Sequence, residues 1–230
     1  MKFTNAAQNA LEGFVLVNKP AGITSHDVVG FVRRTFKMRR VGHAGTLDPM
    51  ATGVLIILLG KSTRLFDKFA AFDKAYRATL RLGLKTTTAD ITGKTLLERP
   101  FAGIDEQAVR QVFTKFTGEI EQRPPMVSAV KHQGQRLYKI ALQGLQVERA
   151  ARRVRIEELR ILQYRPPEVE FLMKCSKGTY VRQLAEDAGE VLGCGACISQ
   201  IERTQVGPFE IKDAVTLENL NENYILKWRP

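Results

Sequence analysis

The chain predicts an α+β fold, with a mixed, mainly antiparallel sheet flanked by helices. Two observations carry this. Apolar stretches with strand character outnumber those at helical spacing, and many are joined by short turns rich in glycine and proline. In order, Phe14-Val15-Leu16-Val17 reads as a buried strand, ended by the turn residues Asn18-Lys19-Pro20-Ala21-Gly22. Ser25 reads as the cap of a helix whose apolar face is Val28, Val29, Val32 and Phe36. A basic cluster follows (Arg33, Arg34, Lys37, Arg39, Arg40), then a glycine-rich loop over 41–53 and an apolar strand over 54–59. Residues 74–82 alternate, with Tyr76, Ala78, Leu80 and Leu82 on one face and Arg77, Thr79 and Arg81 on the other, as a half-buried strand requires. Val109, Val112, Phe113 and Phe116 predict a helix over 105–116. Residues 153–163 and 168–175 form a strand pair around Arg165-Pro166-Pro167, 181–192 has helical spacing, and 198–206 is a last core strand.

Residues 1–12 read as a loose tail, and 13–230 as one catalytic domain. Within it, 122–152 forms an excursion rich in proline, glycine and basic residues, with a short helix near Tyr138. Lys and Arg total 35 against 24 Asp and Glu, a net charge of +11 in 230 residues. Such an excess favours a nucleic-acid partner over a membrane surface. No signal peptide precedes the domain, and the longest apolar run is far too short to span a bilayer, so a cytoplasmic protein is expected. Three cysteines, an odd count, fit reduced thiols better than a disulfide framework. Cys194-Gly195-Ala196-Cys197 has metal-ligand spacing, yet only Cys175 and the scattered His26, His43 and His132 remain as further ligands. Packing is the expected role, with no metal. Gly42-x-x-Gly45 lacks the Gly-Lys-Ser/Thr ending of a phosphate-binding P-loop.

The chemistry concentrates in residues 41–55, Val-Gly-His-Ala-Gly-Thr-Leu-Asp-Pro-Met-Ala-Thr-Gly-Val-Leu. Three glycines flank one acid, letting a large ligand approach the backbone. Pro49 biases Asp48 towards extended geometry. Asp48 is therefore a carboxylate on a stiffened loop at the mouth of an apolar strand; taken alone, an Asp-Pro also serves simply to build a turn. The stretch resembles the pseudouridine-synthase motif Gly-x-x-Gly-x-Leu-Asp-x-x-Ala-x-Gly at every fixed position. With histidine after the first glycine it is similar to the bacterial tRNA pseudouridine-55 synthases, the TruB family. Lys19-Pro20-Ala21-Gly22-Ile23-Thr24-Ser25 resembles that family's first motif, and Cys175-Ser176-Lys177-Gly178-Thr179-Tyr180-Val181-Arg182 its third. The segment from Pro125 to Lys131, through Gly134 and Tyr138, is similar as well.

The resemblance, which runs from about 13 to 209, implies the pseudouridine-synthase catalytic fold, a tRNA T-arm as substrate, a monomer, and no cofactor. It implies that Asp48 is the essential carboxylate, Arg182 its cationic partner, and Tyr76 the ring stacked on a flipped uracil. His43 would brace the space the base vacates, and Lys19 would support the active-site loop. Gly42, Gly45, Tyr180 and Lys131 would line the substrate site, with Arg33, Arg39, Arg40, Arg152 and Arg153 on phosphates. Read without the resemblance, Arg182 is a surface arginine paired with Glu186 and Tyr76 a core tyrosine, while Lys19 is as readily a solvated lysine. Family members usually continue into a C-terminal PUA-type domain, and a chain stopping at Pro230 is expected to lack most or all of it. Ala141-Leu142-Gln143-Gly144 also departs from the family's Ala-Arg-x-Gly. Two mechanisms stay open, covalent attack by the carboxylate or proton abstraction from the sugar, and each begins with an ionised carboxylate. An RNA-binding factor without turnover and a nucleobase hydrolase are the competing functions.

Overall fold

A computed structural model describes residues 11–228, apart from 129, 138, 139, 141, 142 and 146. The side chains of Lys131, His132 and Arg136, the tail over 1–10 and the short helix expected near Tyr138 lie outside the described residues. No helix among the described residues is long and apolar enough to cross a membrane. The chain packs as two compact units, Met1–Lys74 with Glu202–Pro230, and Ala75–Ile201.

In the first unit, β1 (Gly13–Lys19) lies antiparallel to β3 (Thr52–Leu59), from Gly13 opposite Leu59 to Lys19 opposite Gly53. Within them, residues 14–17 and 54–59 are continuously apolar and buried. Between them come α1 (Ser25–Thr35) and β2 (Val41–Ala44), which pairs with β3. The expected loop over 41–53 is thus strand for its first four residues. Without β2 that edge of β3 would be unpaired, and buried backbone groups must find partners. After β3 follow a 3-10 turn, Gly60–Leu65, and the short α2 (Phe66–Ala70). An aromatic core of Phe14, Phe69, Phe72, Phe209 and Trp228 closes the unit, with ring centroids 5.0–6.4 Å apart. Lys68 lies 4.7 Å over the Trp228 ring.

The cap of α1 corrects the sequence expectation. Thr24, rather than Ser25, is the N-cap, accepting from the Asp27 N–H at 3.1 Å while the Asp27 carboxylate accepts from the Thr24 N–H at 2.8 Å. This reciprocal capping box leaves the Ser25 hydroxyl free for another task.

The second unit holds β4 (Lys74–Leu82), whose inner face is buried as the alternation requires. A hairpin the sequence pattern did not reveal follows, β5 (Leu84–Thr86) with β6 (Thr95–Glu98). Asp105 caps α3 (Glu106–Lys115), which leads into β7 (Gly118–Gln122). The excursion contributes a two-residue hairpin, β8 (Lys131–His132) with β9 (Gln135–Arg136). Then come β10 (Arg152–Arg165), β11 (Glu168–Cys175), α4 (Val181–Leu192) and β12 (Ala196–Val206), which continues into the first unit and to β13 (Phe209–Glu210). Strand order is β1-β3-β12 in the first unit and β12-β4-β11-β10-β7 in the second. β3 and β12 run parallel, while β10 pairs antiparallel with both neighbours. The sheet is mixed and mainly antiparallel, as predicted.

Candidate active site

Asp48 sits half-buried on the turn between β2 and β3. The turn closes through the Ala51 N–H on the Asp48 carbonyl at 3.1 Å, with Pro49 at its second position, where its fixed φ suits a β-turn. The residues on either side of Asp48 are held by the segment before and at the start of α1. Ser25 Oγ donates to the Leu47 carbonyl at 3.0 Å and accepts from the Leu47 N–H at 2.8 Å. The Gly22 N–H donates to the Pro49 carbonyl at 2.8 Å, and Lys19 Nζ to the same carbonyl at 3.1 Å. Lys19, Gly22 and Ser25 are three of the four fixed residues of the first motif, Lys-Pro-x-Gly-x-x-Ser, and all three grip the backbone next to the carboxylate.

Lys19 has no exposed surface, so the solvated reading is wrong. Nζ also donates to the carbonyls of Pro20 at 2.8 Å and Ile23 at 2.7 Å. Burial pushes its pKa from 10.5 down to about 8; the Asp48 carboxylate opposes that fall, Arg203 adds to it, and Asp27 opposes it weakly. The ammonium is therefore a local cation in electrostatic contact with Asp48.

Arg203, which the sequence reading overlooked, grips the same loop from β12. It is 1% exposed, and it donates to the carbonyls of Gly45 at 3.0 Å, Thr46 at 3.3 Å and Val54 at 2.8 Å. An arginine within an otherwise core-forming strand was the available signal, since a buried guanidinium demands acceptors. His43 lies half-buried on β2 opposite Ile57, between Gly42 and Ala44, and Gly45 has φ +85. Arg33 donates to the Val41 carbonyl at 2.9 Å and Arg40 to Thr63 Oγ1 at 2.8 Å; Arg34, Lys37 and Arg39 are exposed.

The second unit carries the remaining expected residues. Arg182, at the start of α4, is 3% exposed and pairs with Asp90 at 3.4 Å. It also donates to the carbonyls of Thr88 at 2.7 Å and Val127 at 2.8 Å. A surface pairing with Glu186 is overturned, since Glu186 pairs instead with Lys85 at 3.2 Å. Asp90 went unnoticed in the sequence. Its carboxylate accepts from the Thr88 hydroxyl at 2.8 Å and the Thr92 N–H at 3.0 Å, an Asx-turn that Thr86-Thr87-Thr88-Ala89-Asp90-Ile91-Thr92-Gly93 could have signalled. Tyr76 is 8% exposed on β4. Tyr180 precedes α4 and exchanges two hydrogen bonds with the buried Gln122 side chain, at 2.8 and 3.0 Å. Lys131 falls on β8. Arg152 and Arg153 are exposed at the start of β10, and there Arg153 stands opposite Glu121 and Arg155 opposite Glu119, which tempers the positive charge of that strand end. Cys175, Cys194 and Cys197 are buried and form no disulfide, and among the described residues no three acid, histidine or cysteine side chains are grouped to hold a metal.

The first unit thus presents a carboxylate on a doubly clamped loop beside a buried ammonium, suited to nucleophilic or base chemistry at a fixed point. Comparisons with known proteins agree on the kind of protein this is. The model of the TruB family pseudouridylate synthase N-terminal domain matches residues 33–181, and that of the tRNA pseudouridylate synthase B C-terminal domain matches 182–229. The tRNA pseudouridine synthase B of Syntrophotalea carbinolica is 47% identical over 208 residues, 90% of this chain and 68% of its own. That of Moorella thermoacetica is 49% identical over 212 residues, covering 90% and 70%. The crystal structure of a Cbf5-Nop10-Gar1 complex aligns with TM-score 0.72 at 32% identity, over 90% of this chain and 53% of that one. The chain belongs to the TruB family of pseudouridylate synthases.

Proposed function

We propose that this chain isomerises the uridine at position 55 of the tRNA T loop to pseudouridine, with Asp48 as the essential carboxylate. The N1–C1′ bond breaks, the base turns, C5 joins C1′, the C5 proton passes to water and N1 takes up a proton, so that no atom is gained or lost overall. The observation that carries the reading is the fixing of the backbone on both sides of Asp48 by Ser25, Gly22 and Lys19, which holds the carboxylate at one position before substrate arrives. The target base must leave its stack, at a cost of a few kcal/mol, which stacking on Tyr76 would offset. In this reading Arg182 is the cationic partner of Asp48, and His43 fills the space left by the base. Gly42, Gly45, Tyr180 and Lys131 line the substrate site, while Arg33, Arg39, Arg40, Arg152 and Arg153 meet phosphates of the T arm. The net charge of +11 supports such a polyanionic partner. The enzyme works as a cytoplasmic monomer.

The test uses tRNA tritiated at uridine C5. Wild-type protein should release label and Asp48→Asn should not, while binding the same tRNA with unchanged affinity. No release by the wild type would end the isomerase reading, and free uracil in the products would favour a nucleobase hydrolase instead.

A further inference from the structure

We propose that Arg203 is a positioning residue for the isomerisation: its guanidinium ties together the backbone before and after Asp48 and keeps the carboxylate's loop in place. The inference rests on the Asp48 reading above. Nη2 bonds the Gly45 carbonyl, Nη1 the Thr46 carbonyl and Nε the Val54 carbonyl. Two of these acceptors precede Asp48 and one follows it, so one rigid planar group spans the loop. A buried guanidinium is costly unless its donors are matched, so the site is retained only where the geometry is met.

One glycine of the loop makes room for this arginine. β3 and β12 run parallel here with Gly53 opposite Arg203, and a Cβ on Gly53 would stand 2.3 Å from the Arg203 carbonyl oxygen and 2.7 Å from its nitrogen. Gly53 also has φ +101. A Cβ on Gly45 would come within 3.6 Å of Nη1, at φ +85. Gly53 therefore admits the Arg203 backbone, whereas at Gly45 the guanidinium lies at ordinary contact distance and it is the positive φ that favours glycine. A lysine could not replace it, because a single ammonium lacks the fork that reaches separated acceptors.

Arg203 also acts at a distance on Lys19, the second clamp. The charges acting on Lys19 are Asp48, Arg203 and Asp27, and Glu202 and Glu218 line the cavity that Lys19 borders. This charge effect adds a second readout, beside the split between rate and half-saturation that a purely structural arginine would not give.

The test compares wild-type, Arg203→Gln and Arg203→Lys proteins as full chains. Single-turnover tritium release gives rate and half-saturating tRNA concentration, circular dichroism gives the folded fraction, and the 13Cε shift of Lys19 is titrated without RNA. The expected result is a rate about 100-fold lower in folded Arg203→Gln. Half-saturation should stay within about threefold, because Arg203 bonds the loop and not the RNA. Lys19 should titrate above about 8 once the neighbouring charge is gone, and near its wild-type value in Arg203→Lys, which keeps the charge but loses rate. An undiminished rate, a fall matched by loss of folded protein, or an unmoved Lys19 midpoint in Arg203→Gln would each overturn the proposal. Loss of fold in both variants would overturn it too, since support of the whole unit would then be the role. Absence of tritium release by the wild type would strike the isomerase reading alone, because the Lys19 titration needs no turnover.

Discussion

Lys19 makes stability and turnover respond to pH in opposite directions. Its pKa is about 8 in the folded chain and 10.5 as a free side chain. A lysine whose pKa is lowered by folding binds fewer protons folded than unfolded between those values. Its cost to stability is therefore full below about pH 8 and is relieved as pH rises towards 10.5. From pH 7 to pH 9 the relief is about tenfold in the folding equilibrium, or at most about 1.4 kcal/mol. Over the same interval the charged fraction of Lys19 falls from about 90% to about 10%. The ammonium then loses its attraction to Asp48 and one of its donors to the carbonyls of Pro20, Ile23 and Pro49, so turnover should fall about tenfold. Cys197, raised by burial from 9.0 to about 11, contributes nothing while its thiol is neutral in both states and opposes folding once pH passes 9 and the unfolded thiol ionises first, which sets the upper end of the window. Urea unfolding at pH 7 and pH 9 of wild type and Lys19→Met isolates the stability term, and single-turnover tritium release of wild type and Lys19→Arg isolates the kinetic one. The ratio of the two rates cancels titration of the uracil ring itself. A stability difference between wild type and Lys19→Met that does not change with pH, or an alkaline fall equally steep in Lys19→Arg, would refute the reasoning.

Ser25→Ala removes both bonds to Leu47, leaving a buried N–H and carbonyl without their partner. It should cost about 2–4 kcal/mol in urea unfolding and lower turnover as well, since Leu47 adjoins Asp48. Gly53→Ala drives a methyl against the Arg203 carbonyl at a position with positive φ, and should cost more than about 3 kcal/mol, measured as a fall in thermal midpoint against wild type.

Local chemistry made much of this chain legible. β1, β4, β10 with β11, and α4 follow from hydrophobic period alone, and the turn residues between β10 and β11 stand where predicted. Asp48 was legible through the glycines and proline around it. Where two neighbouring residues compete for one local role, pattern does not choose. Thr24 and Ser25 are both good caps, and only the position of Leu47, 22 residues away, assigns the second hydroxyl to the loop. β2 was hidden because its residues are too few and too glycine-rich to show a period.

By itself the sequence determined the fold class, the basic character and the carboxylate on a stiffened turn, since each depends on residues near one another along the chain. Tertiary structure alone decided what holds that turn. Arg203 reaches Gly45 across 158 residues, and Arg182 meets Thr88 across 94. Such partnerships form because a charge removed from water must find acceptors wherever packing places them, and no spacing along the chain encodes that distance.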